Sequence, residues 1–228
     1  MTTTASPPQR PSHAERRTRR ERLATWITIA VVLVVCAVAA LGAYGMANSW
    51  WVEDAPTASA DQQLPDGQSR FDQAGLDFLN RQRLATVDVV DAASAGELGL
   101  PANGDTPVET LVPLTVDVRG SGGVISFPGV PWFALATEQD RLTALSVAPA
   151  SSTTWVAIRS DLEQRAAQWG WSDSDLRDLQ QNVGDAGREE GVAQTFRLPA
   201  TPVDGMTVTA EVSVDEGGRI SLRYVFAR

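Results

Sequence analysis

The 228 residues contain one histidine, His13, and one cysteine, Cys36, and no lysine, so all 19 basic residues are arginine. His13 and Cys36 both precede residue 47. The remaining chain, 47–228, therefore has no Ser–His or Cys–His pair, no Ser–Lys dyad, no disulfide and no Cys/His zinc site. Carboxylates, hydroxyls, arginines and Tyr224 are the groups left for chemistry there. Of the carboxylates, Asp88, Asp91 and Glu97 lie at a stretch rich in glycine and proline. A glycosidase needs two carboxylates facing one cleft, and spacing along the chain does not supply that geometry. Asp173 and Asp175 fall in the first turn of a predicted helix, where negative charge stabilises the free N–H groups. Asn103 to Glu109 offers oxygen ligands without the spacing of an EF-hand. Gly120-Ser121-Gly122-Gly123 lacks the lysine and helix of a phosphate loop and reads as a hairpin turn. No catalytic residue, metal site or cofactor is expected. The candidate binding surface is Trp132 and Phe133, presented after Pro128-Gly129-Val130-Pro131. An exposed aromatic pair there can receive a glycan or a peptide; a buried pair joins the core.

Charge divides the chain. Residues 1–22 carry six arginines against Glu15 and Glu21, a basic tail. The remainder is strongly acidic, which disfavours nucleic acid as a partner. Between them, Leu23 to Met46 holds no charged side chain. As a helix these 24 residues cover about 36 Å, against a hydrocarbon core of about 30 Å. The sequence thus predicts a transmembrane signal-anchor over 23–46. Arg19, Arg20 and Arg22 would hold the N-terminus in the cytoplasm, and Trp26, Trp50 and Trp51 would mark the two interfaces. The apolar run exceeds the usual 7–15 residues of a cleaved signal. Val35 before Cys36 disfavours a lipoprotein, and Arg22 occupies a position where twin-arginine signals place an apolar residue. The expectation is a single-pass plasma-membrane protein with an extracytoplasmic domain. Its partners would be the lipid bilayer and an envelope protein or wall component. Ala39 and Ala43 offer a small-residue face for a homodimer through the membrane helix. Arginine without lysine, together with abundant alanine, points to GC-rich bacterial coding.

Residues 47–68 read as a flexible linker and 69–228 as the folded domain. Ser69 with Asp72 offers caps for a helix carrying Phe71, Ala74 and Phe78. Leu114, Val116 and Val118 alternate with polar residues as a strand. Trp155, Ile158, Leu162, Ala166 and Trp169 share one face of a helix stopped by Gly170, and Ser172 caps a second helix. Met206 to Val214 and Ile220 to Phe226 alternate about a Gly217-Gly218 turn, an antiparallel hairpin. The expected fold class is α+β, a transmembrane helix followed by antiparallel hairpins packed on helices. The two glycine-turn hairpins, 95 residues apart, raise the question of an internal duplication. The expected function is a membrane-anchored binding or assembly module rather than an enzyme; the alternative is a carboxylate-dependent enzyme of cell-wall glycan.

Overall fold

The computed structural model describes residues 26–40, 58–150, 153–188 and 191–228. The chain divides into two units, Met1–Pro56 and Thr57–Arg228. In the first, residues 26–40 form helix α1. Fifteen residues rise about 22 Å, short of a hydrocarbon core of about 30 Å. Among the described residues, no helix is long and apolar enough to cross a membrane. This corrects the transmembrane signal-anchor expected over 23–46, and with it the single-pass plasma-membrane location. A charge-free run is permissive, but a span itself requires a long apolar helix. Trp26 is 71% exposed on α1; Arg19, Arg20, Arg22, Trp50 and Trp51 lie outside the described residues.

The second unit begins with α2 (Gln73–Gln82), β1 (Leu84–Asp88), β2 (Gly104–Gly120), β3 (Gly123–Glu138) and β4 (Arg141–Val147). It continues through α3 (Trp155–Trp169), α4 (Asp173–Ala186), β5 (Gln194–Arg197), β6 (Thr201–Val203), β7 (Met206–Val214) and β8 (Ile220–Ala227). All eight strands form one sheet in the order β1-β2-β3-β4-β8-β7-β5, with β6 also paired to β7. The expected fold class is corrected here too. The sheet is mixed, because β1 leaves α2 and runs parallel to β2, Leu84 beside Thr115 through Asp88 beside Arg119.

Strand β1 sits at the sheet edge, where unpaired backbone groups need cover. Ser69, expected to cap α2, supplies that cover. Its N–H donates to the Thr86 carbonyl at 2.9 Å, and its Oγ accepts from the Thr86 N–H at 2.9 Å. The cap of α2 is Asp72, whose Oδ1 accepts from the Gly75 N–H at 3.0 Å. Gln68 is also buried, so the chain just before Ser69 is packed on the domain.

Pro128 and Pro131 do not break β3, as their sequence suggests they would. They fall where the β2–β3 register shifts, between Leu114–Val130 and its neighbouring pairs Glu109–Trp132 and Val116–Phe127. A proline lacks the N–H that a regular ladder position needs, and an irregular position needs none. Four residues, Thr110 to Pro113, stand opposite Pro131 alone, making a pronounced bulge in β2.

Helices α3 and α4 lie on the apolar face of the sheet. The stripe of Ile158, Leu162, Ala166 and Trp169 is buried. Trp169 meets Phe127, Tyr224 and Phe226 at ring separations of 6.5, 5.0 and 6.0 Å. Gly170 ends α3 with φ of 75°, a left-handed conformation that suits glycine, and its N–H caps the Ala166 carbonyl. The Ser172–Asp175 capping box then starts α4.

Candidate functional site

The two aromatics singled out by sequence separate. Phe133 is fully buried on β3 and meets Phe71 edge to face at 5.9 Å. Trp132 faces the other way and is 38% exposed. Alternation along a strand makes this split unavoidable, since successive side chains point to opposite faces. Only Trp132 remains available to a ligand.

Beside it the bulge projects Leu111, which is 86% exposed. Its backbone is nevertheless fixed. The Leu111 N–H donates to Asn80 Oδ1 on α2 at 3.1 Å, and Thr110 Oγ1 donates to the Pro131 carbonyl at 2.9 Å. Leu111 and Val112 form one wall of a groove of about 680 Å³. Ala74, Asp77, Arg81 and Arg83, from α2 and its end, form the other. Arg81 and Arg83 are exposed, and neither has a carboxylate partner among the described residues. Sequence reading missed this patch. The available signal was Pro113 inside a strand pattern: a proline there belongs at an edge or a bulge, and the bulge is what lifts Leu111 out.

The densest polar cluster lies under α3. Tyr224 donates its hydroxyl to Asp161, and Arg165 Nε donates to the same Oδ2 at 3.2 Å. The Arg165 guanidinium carbon is 4.3 Å from the Phe127 ring centre, 5.0 Å from Trp169 and 5.2 Å from Tyr224. Burial, and then the charge of Asp161, push the Tyr224 hydroxyl far above its ordinary value. A phenol held neutral is a donor and neither a base nor a nucleophile. Asp161 is likewise engaged twice. The cluster fastens α3 to β8.

The carboxylates weighed by sequence have comparable duties. Asp88 accepts from the N–H groups of Val90 and Asp91, closing the turn after β1. Glu97 accepts from the Ser94 hydroxyl and N–H, which hold its pKa below the ordinary 4.5. Asp175 is lowered below 3.8 by Ser172 in the same way. A general acid needs the opposite shift. Asn103 accepts from the Gln139 N–H at 2.8 Å. Among the described residues, no three His, Cys, Asp or Glu side chains converge as a metal site would require.

A second groove, of about 310 Å³, runs between α3 and α4. Leu162, Leu176 and Leu179 form its floor, Trp155 one end, and charged and amide side chains its rim. No family model, curated protein or solved structure matches this chain.

Proposed function

We propose that the Thr57–Arg228 unit is a non-catalytic binding module that docks a protein partner on the bulge of β2. The observation that carries this reading is Leu111, a large apolar side chain almost wholly exposed on a backbone held by two hydrogen bonds. An exposed apolar side chain on a held backbone is presented to a partner without the cost of ordering a loop, which is the property of an interface anchor. Trp132, paired across the strands with Glu109, extends the surface. The arginine wall sets the partner's chemistry. The unit carries 24 acidic and 13 basic residues from Thr57 onward, a net −11. Against that background Arg81 and Arg83, outside any ion pair among the described residues, favour a surface in which carboxylates flank an apolar pocket.

The test places a photo-crosslinking residue at Leu111 in the full chain, with Val156 as the control. Val156 is also exposed and apolar, at 79%, but lies on α3. The reading expects one discrete partner crosslinked from position 111, competed away by unlabelled protein and lost in Arg83→Glu. Equal crosslinking from both positions, or indifference to Arg83→Glu, would overturn it.

A further inference from the structure

The groove between α3 and α4 has a composition that the protein-docking reading leaves unused. Trp155, Arg159, Leu162 and Glu163 present one side of α3 to it, and Asp173, Leu176, Arg177 and Gln180 the facing side of α4. The buried floor of Leu162 and Leu179 is apolar. The rim carries two arginines and two carboxylates, so its charge sums to zero within a unit of net −11. Arg159 donates to Glu163 at 2.7 Å, while Arg177 Nε is turned to the Asp173 carbonyl at 3.1 Å, leaving the Asp173 carboxylate outside any ion pair among the described residues. Every rim group is planar and offers two or more donors or acceptors side by side. Trp155 is partly buried and, with Arg177 and Gln180, also borders a neighbouring hollow of about 690 Å³ that runs to Gly218 and Ile220.

These features jointly specify a ligand. A neutral rim over an apolar floor disfavours a polyanion or polycation. Adjacent donors and acceptors match vicinal hydroxyls, and an indole face packs on the C–H face of a sugar ring. The volumes fall in the range of small-molecule pockets, and the neighbouring hollow, which shares Trp155, Arg177 and Gln180, offers room for a further ring. We infer that the α3–α4 groove is a binding site for an uncharged oligosaccharide, with Trp155 as the stacking platform and Asp173, Arg177 and Gln180 as hydroxyl partners. This site, on α3 and α4, is separate from the Leu111 surface on β2 and α2 and stands or falls independently of it.

The full chain is titrated with chitotriose, cellotriose and maltotriose, following amide shifts by NMR and tryptophan fluorescence. At least one trisaccharide should bind saturably, with shifts concentrated on α3 and α4. Trp155→Ala should weaken it at least about tenfold, equivalent to about 1.4 kcal/mol. Because Trp155 also packs on the core, Gln180→Ala, a rim change, is measured beside it and should weaken binding severalfold. Trp132→Ala should leave the affinity unchanged. Absence of saturable binding by all three sugars, binding insensitive to both Trp155→Ala and Gln180→Ala, or shifts centred on Trp132 would overturn the inference. Binding of an unrelated peptide in the groove, with no sugar binding, would overturn it as well.

Discussion

Tyr224→Phe removes a single oxygen and tests the fastening of α3 to the sheet. The ring itself stays, in contact with Phe127 at 5.5 Å, Trp169 at 5.0 Å and Trp171 at 6.4 Å. The change therefore reports on the hydroxyl almost alone. That hydroxyl is fully buried and donates to a carboxylate, a bond worth about 1.5–3 kcal/mol. Asp161 is not orphaned by the substitution, because Arg165 remains at 3.2 Å and the carboxylate side chain keeps 17% of its exposure. The lower half of the range applies, about 2 kcal/mol. For a unit of 172 residues this lowers the melting temperature by about 4–8 °C. Urea unfolding followed by tryptophan fluorescence gives the free energy, and a cycle with Asp161→Asn isolates the pair. A coupling above about 1 kcal/mol is expected. If Tyr224→Phe lies within about 0.5 kcal/mol of the parent, or the cycle is additive, the reasoning is refuted.

Four further outcomes follow from the same structure. Gly75→Ala, normally stabilising within a helix, should destabilise by about 2 kcal/mol or more by urea unfolding, because the added Cβ overlaps the Arg70 carbonyl. Asp72→Ala should cost about 1 kcal/mol through loss of the α2 cap. The Gly75 N–H, and then Arg70, hold the Asp72 carboxyl below 3.8, so its contribution is complete above the unfolded value near pH 3.9 and lost as pH falls below it; Asp72→Asn should flatten that part of the acid unfolding curve. Glu211, buried between Arg197 and Arg223, can become Met with a change below about 1 kcal/mol, since both arginines are partly exposed and can turn to water. Leu111→Asp should leave the melting temperature within about 1 °C while abolishing partner crosslinking from a probe moved to the neighbouring Val112.

Elements whose signal is local were legible in the chain. The α3 stripe, the Ser172 cap of α4 and the Met206–Phe226 hairpin each declare themselves within a few residues, and each is found in place. What depends on distant pairing was not legible. The parallel course of β1 is decided by contacts between residues 84–88 and 115–119. Ser69 was assigned to the helix because it precedes one, whereas its partner Thr86 is 17 residues away. Leu111 carries no local signal of its exposure, which depends on how Thr110–Pro113 stands opposite Pro131. The oligosaccharide groove joins two helices whose rims are polar for a reason that each helix alone would ascribe to solvent.

The place of β8 has a consequence for how the protein is made. β8 lies between β4 and β7, so the two halves of the sheet meet only through it. It is also the last of the eight strands to leave the ribosome. A nascent chain that has emerged as far as Val214 holds two sheet fragments with no ladder between them and with the facing edges of β4 and β7 open. Trp169 then lacks both Tyr224 and Phe226. Closure must await residues 220–227, and until then the open edges of β4 and β7 are exposed to other chains, the interval in which a holding chaperone would act.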